Sequence, residues 1–142
     1  MLLTENKSIV RRVVEEAQSR GDMSVVDELF SQDFVDHNAL PGLPPTREGV
    51  KLIFTMFRAA FPDLCATIHT QIAEGDKVMT HKTLSGTHQG DFLGIPPTGR
   101  HVDIAVIDIL RLADGKITDH WNIVDQIGLL QQLGATPAPL PA

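Results

Sequence analysis

RHVDIAVIDILRLADGKITDHWNIVDQ, residues 100–126, decides the fold. Two apolar runs flank Asp114-Gly115, a dipeptide suited to a tight turn between antiparallel strands. In the first run, Arg100–Leu112, Val102, Ile104 and Val106 face opposite to Ala105, Ile107 and Ile109. That period of two is a strand signature. Ile117–Asp125 is the returning strand. A turn over Ala113–Lys116 pairs Leu112 with Ile117 and sets Asp108 opposite Trp121, within a residue of both His120 and Asn122. A slip of one residue would break this grouping. Upstream, Leu64, Ala66, Ile68 and Ile72 alternate with polar residues, Gly75-Asp76 makes a turn, and Lys77–Ser85 is a further strand. Gly86–Gly99 is a glycine-rich connection containing Pro96-Pro97.

The first half of the chain has helical spacing. Ile9, Val10, Val13, Val14 and Ala17 form one apolar stripe over residues 6–19, which Gly21-Asp22 stops. Ser24 with Asp27 has the spacing of a capping box opening a short helix through Phe30. Residues 31–45 read as a loop, since Pro41, Pro44 and Pro45 fix φ and remove donors. Thr46 is positioned to cap a third helix whose buried side is Val50, Ile53, Phe54, Phe57, Ala60 and Phe61, ended by Pro62. Ile127–Leu133 is a closing helix stopped by Gly134. Helices followed by hairpin-linked strands give an α+β class, three to four helices on one face of a strongly curved antiparallel sheet. Such packing leaves a hollow suited to a small ligand.

The 142 residues suit one domain, expected over 1–134, with a Pro/Ala-rich tail over 135–142. The formal charge is −6 and Lys and Arg form no cluster, which argues against nucleic-acid binding. No run approaches the roughly 20 apolar residues of a membrane span, and the first residues lack the pattern of a secretion signal. The cytoplasm is the expected compartment. Cys65, the only cysteine, reads as a buried structural thiol. The six histidines show no metal-site spacing, and neither a phosphate-binding glycine loop nor a Gly-x-Ser-x-Gly elbow occurs.

Asp108 is the residue that does not belong: it shares a strand face with Ile104, Val106 and Leu110. A carboxylate there must be ion-paired, with Arg111 or Arg58 the candidate partners, or must face a cavity. Burial would raise its pKa toward the range of a general acid or base. His120 is a candidate proton partner, and His37 in the proline-rich loop is a second. Asp36 and Asn38 beside it read as local turn caps. Asn122, His81, Trp121, His88 and Phe57 complete the expected ligand-binding set, with surface exposure an equal alternative for His81 and loop orientation one for His88. His69 and His101 read as surface residues.

Several local stretches together carry a family resemblance: Phe61-Pro62-Asp63, Gly86-Thr87-His88-Gln89-Gly90, Gly94-Ile95-Pro96-Pro97-Thr98-Gly99-Arg100, Asp114-Gly115-Lys116-Ile117, and Asp125 through Gln132-Leu133-Gly134. From Ile9 to Gly134 the chain resembles the SnoaL-like polyketide cyclases (ester cyclases) of the nuclear transport factor 2-like superfamily. The resemblance implies a cone-shaped α+β barrel with a deep pocket and a homo-oligomer, dimer or tetramer, built on the outer sheet face. It implies aldol-type ring closure of a polyketide methyl ester by proton abstraction next to a carbonyl, with neither metal nor cofactor. The family's catalytic carboxylate matches Asn122, its strand histidine matches Asp108, and a glutamine two positions earlier matches Val106. Acid and amide thus look exchanged across the pocket. Asp108 is then the expected base and Asn122 the group that holds the carbonyl, with cyclisation, isomerisation or elimination (a cyclase or a related lyase or isomerase) as the outcome. The alternatives are a binding protein for a small apolar ligand, an epoxide hydrolase-like activity, or a purely structural or protein-interaction role.

Overall fold

A computed structural model describes Leu2–Ala135; the expected C-terminal tail lies, from residue 136 on, outside the described residues. The elements are α1 (Leu2–Arg12), a π-helical segment (Val13–Gln18), α2 (Ser24–Leu29), β1 (Phe30–Asp36), α3 (Arg47–Ala60), β2 (Cys65–Glu74), β3 (Lys77–Thr87), β4 (His101–Ala113), β5 (Lys116–Val124) and α4 (Gln126–Leu133). The five strands form one sheet in the order β1-β5-β4-β3-β2. Three neighbouring pairs are antiparallel, whereas β1 runs parallel to β5.

This corrects the expected architecture. The sheet is open, with β1 and β2 as its edges, and is not closed or strongly curved into a barrel. Nor is it wholly antiparallel. The expected loop over 31–45 begins instead as β1, whose pairing with β5 is interrupted between Phe30 and Val35. A strand so irregular has no clean period, and tertiary pairing rather than propensity makes it a strand.

The hairpin forms as expected at its tip and then departs. Asp114 (φ 51°) and Gly115 (φ 76°) are consecutive left-handed residues, the conformation of a type I′ turn. Leu112 pairs with Ile117 and Ala113 with Lys116. The register then shifts between Arg111 and Leu112, so that Arg111 pairs with Asp119 and Asp108 with Asn122. A bulge inserts one residue and re-aims every side chain beyond it. Here it turns an expected diagonal neighbour of Asp108 into its direct partner.

The helices cover one face of the sheet. Buried residues alternate with exposed ones along β3 and β4, so Val78, Leu84, Val102, Ile104, Val106, Leu110 and Leu112 point toward the helices. One core cluster joins them to Val10, Val13, Val26, Phe30 and Phe34, and a second to Ala60, Phe61, Leu129 and Leu133. Each buried Val, Leu, Ile or Phe side chain contributes about 1.5–3 kcal/mol by leaving water. The helix ends differ in detail from the expected caps. Met23, not Ser24, is the N-cap of α2, and the Asp22 carboxylate accepts from the Ser24 N–H at 3.1 Å. Thr46 occupies the N-cap of α3 without a side-chain bond. Asp125 caps α4 by accepting from the Gly128 N–H at 2.9 Å, and Gly134 ends it in the left-handed conformation. Cys65 opens an edge strand and is exposed, contrary to the buried thiol expected.

Candidate functional site

A cavity of about 520 Å³ lies between the sheet and the helices. Its wall is mainly apolar: Val13 and Val14 from the π-helical segment, Phe54 and Phe57 from α3, Phe92 and Ile95 from the connection before β4, and Leu129 from α4. π-helical turns are frequent at functional sites, because they re-aim side chains within a helix. This one also brings Gln18 to the wall.

The polar residues gather at one place. Asp108 of β4, only 6% exposed, faces the cavity as its strand parity predicted. Its Oδ2 accepts from Lys82 Nζ at 2.5 Å and its Oδ1 from His120 Nε2 at 2.8 Å. Lys82, 5% exposed on β3, also donates to Gln18 Oε1 at 2.7 Å. On the other side of the imidazole, His120 Nδ1 lies 3.0 Å from Asp36 Oδ1. Asp36 Oδ1 also accepts from the Asn38 N–H at 3.0 Å. Two cations and two carboxylates thus form one charge-balanced cluster.

Each charge state follows from its neighbours. Burial pushes the Asp108 carboxyl up, but the Lys82 charge and the His120 hydrogen bond outweigh it and hold Asp108 well below the usual carboxylate range. The expected upward shift is therefore reversed, and the partner is neither Arg111 nor Arg58. Arg111 pairs with Asp76, and Arg58 donates to the Ser19 carbonyl. Burial pulls His120 down, yet the bonds to Asp108 and Asp36 push it up to about 9. For Asp36, burial opposes and the His120 bond favours ionisation, and its pKa is lowered.

Asn122 lines the cavity beside Asp108, as its direct cross-strand partner on the same sheet face. Its backbone N–H donates to Asn38 Oδ1 at 2.9 Å, while its side-chain amide makes no hydrogen bond among the described residues. Phe57 lines the wall in contact with Phe92, ring centroids 5.2 Å apart. The other expected site residues lie elsewhere. His37 bonds Asp119 at 2.9 Å and stacks on Trp121 at 4.6 Å, away from the cavity wall. Trp121 is also capped by Lys77 Nζ, 5.5 Å from its ring centroid. His81 is exposed on the outer face beside His69, centroids 4.8 Å apart. His88 is fully buried outside the cavity, and its Nδ1 accepts from the Thr98 N–H at 3.2 Å. It orients the connection before β4.

Lys82, Gln18 and Asp36 belong to the cluster but are not placed in the site by the sequence reading. Parity would have found Lys82, since it shares its strand face with Val78, Thr80 and Leu84. Nothing local marks Gln18, and the local turn at Asn38 marks Asp36 only as a cap, because the Lys82 and His120 partners that bring the two into the site are distant in sequence. Among the described residues no group of three His, Cys, Asp or Glu side chains is placed to hold a metal ion, and no helix is long and apolar enough to cross a membrane.

Helices on one face of an open sheet, enclosing an apolar cavity with one ionic cluster, define a small-ligand protein of the nuclear transport factor 2-like superfamily. The chain belongs within it to the SnoaL-like polyketide cyclase family, whose profile matches residues 8–133. It is 33% identical over 136 residues to the aklanonic acid methyl ester cyclase DnrD of Streptomyces peucetius, covering 94% of this chain and 92% of that protein. It is 31% identical over 120 residues to the nogalonic acid methyl ester cyclase of Streptomyces nogalater, covering 83% and 90%. Among solved structures it is similar to TsrD from Streptomyces laurentii, with a TM-score of 0.85 at 30% identity over 93% of this chain and 96% of that one. IdmH from Streptomyces antibioticus gives 0.80 at 35% identity, over 91% and 98%. Membership supports cyclase activity in general terms.

Proposed function

We propose that this protein closes a ring in a small polyketide-derived methyl ester, without a cofactor, by removing a proton next to a carbonyl. The observation that carries this reading is the Lys82–Asp108–His120 cluster set into a mainly apolar cavity, with the free Asn122 amide beside it. Asp108 takes the carbon-bound proton, and the carbonyl oxygen becomes an enolate held by the Asn122 side-chain amide. The enolate carbon attacks the second carbonyl. The alkoxide formed takes a proton from His120, which recovers one from Asp108, so the substrate and product are isomers.

Lys82 and His120 make Asp108 a weak base, which costs activation energy. The same two cations lie beside the enolate, however, so negative charge moves from one oxygen to another within a fixed positive field. Preorganised charge of this kind is a large source of rate enhancement. Asn122 cannot act as a base near neutral pH, but its amide donates hydrogen bonds. It therefore binds the oxygen, while Asp108 supplies the base.

Aklanonic acid methyl ester and nogalonic acid methyl ester, which the relatives' names identify, are the first substrates to test. Conversion to a product of unchanged mass and shifted retention is the expected result, and Asn122→Ala should lower kcat by about 100-fold, the usual loss for one oxyanion donor. Failure of both esters to react would overturn the reading. Both Asp108 oxygens already have partners, which favours a second reading as a binding protein without chemistry. In that case a ligand would bind tightly and leave unchanged.

A homo-oligomer through the outer sheet face is part of the same proposal. Ile123 is 74% exposed there and its strand partner Ile107 43%. Light scattering of wild type and Ile123→Asp separates a dimer from a monomer.

A further inference from the structure

His120 lies between two carboxylate oxygens, Asp108 Oδ1 at 2.8 Å and Asp36 Oδ1 at 3.0 Å. An ionised carboxylate only accepts hydrogen bonds. Both ring nitrogens must therefore carry hydrogens for both contacts to be bonds, and the ring is an imidazolium. With Asp108 alone, a neutral ring with its hydrogen on Nε2 would satisfy the geometry. Asp36 is what requires the second hydrogen.

We propose that Asp36 is a positioning residue of this site: it holds His120 as a doubly donating imidazolium whose Nε2–H is aimed at Asp108. The proposal rests on the proton-abstraction reading for its catalytic meaning, but the charge state of His120 can be measured without it. Asp36 sits at the end of β1, where its own backbone N–H donates to the Pro45 carbonyl at 3.0 Å. Its Oδ1 takes the Asn38 N–H as well as the imidazole, so one oxygen ties the ring to the loop after β1. Ala39, Leu40 and Leu43 of that loop line the cavity. Seating the loop and fixing the ring are thus one event. The turn-cap role read from sequence is real, and the same carboxylate performs both.

The charged groups around His120 are Asp36 from β1, Asp108 from β4 and, through Asp108, Lys82 from β3. Among the described residues the helices contribute no charged side chain to the cavity wall. Lys82 opposes the imidazolium, so two carboxylates are needed where one would be offset. This agrees with His120 being pushed up to about 9.

Asp36→Asn tests the proposal, because the amide oxygen can still accept from Nδ1 and from Asn38 while the negative charge is gone. Nitrogen-15 NMR of labelled histidine should show His120 as an imidazolium at pH 7.5 in the wild type. In Asp36→Asn its titration should move down by about one pH unit or more, the usual effect of one nearby charge. The alkaline limb of kcat/KM for ester cyclisation should move with it, and KM should stay within about twofold because the apolar wall that binds the ester is untouched. A neutral His120 in the wild type overturns the proposal, as does a titration unmoved in Asp36→Asn or a pH–rate limb that stays in place. If neither ester reacts but the titration moves as stated, Asp36 keeps its role and the cyclase reading falls.

Discussion

At the residue scale the ionic cluster is anchored by the buried Lys82–Asp108 pair. Removing one member strands the other's charge in the interior, which costs about 3–5 kcal/mol. Asp108→Asn should therefore lose about that much stability in urea titration as well as turnover, because Lys82 is left facing an amide. Adding Lys82→Met to Asp108→Asn should restore most of the stability and none of the activity. Thr80 offers the opposite case. It is 1% exposed and its hydroxyl has no partner among the described residues. Thr80→Val keeps the shape and removes an unsatisfied group, so it should raise stability by about 1 kcal/mol, read from the same titration. Parity made Asp108 legible from sequence because a carboxylate among Ile104, Val106 and Leu110 is costly unless compensated. The compensating partners were less legible. Lys82 is 26 residues away across β3, and Asp36 belongs to a strand with no readable period.

At the element scale the alternation along β3 and β4 was visible in the sequence, as was the Asp114-Gly115 turn. The bulge between Arg111 and Leu112 was not, because an extra residue in β5 leaves the apolar pattern of β4 intact. Closure of the sheet was also out of reach. It depends on whether β1 and β2 meet, and no local pattern encodes the meeting of edges. The connection from Thr87 to His101 is fixed to the end of α3, where the Gln89 and Gly90 N–H groups both donate to the Ala60 carbonyl. A Cβ on Gly90 would stand 2.3 Å from the Ala59 carbonyl oxygen. Gly90→Ala must push the connection off α3, at a cost of about 1–3 kcal/mol. It should also weaken ligand binding, since Phe92 and Ile95 ride on that connection into the cavity wall. Thermal melting and ligand titration of the variant check the two effects separately.

At the scale of the whole molecule the ionic cluster sets a pH window. His120 has a folded pKa raised from 6.5 to about 9, so its contribution is complete below 6.5 and is lost as pH rises through about 9. Asp36 and Asp108 have folded values lowered from 3.8, so theirs is present above 3.8 and is lost as pH falls below it. Stability should therefore form a plateau between about pH 4 and 6.5 and decline toward pH 9 by on the order of 3 kcal/mol. Melting temperatures across that range, repeated with Asp36→Asn, check the decline, which should shrink in the variant. A plateau extending unchanged to pH 9 would show that His120 is not charged in the fold.

Trp121 is the sole tryptophan of the chain. It stacks on His37 on one side of β5 while its sequence neighbours His120 and Asn122 line the cavity on the other. The backbone of a single strand links the indole to the chamber. Intrinsic emission followed during a ligand titration, with no dye attached, is therefore expected to register at the outside wall what enters the chamber behind it.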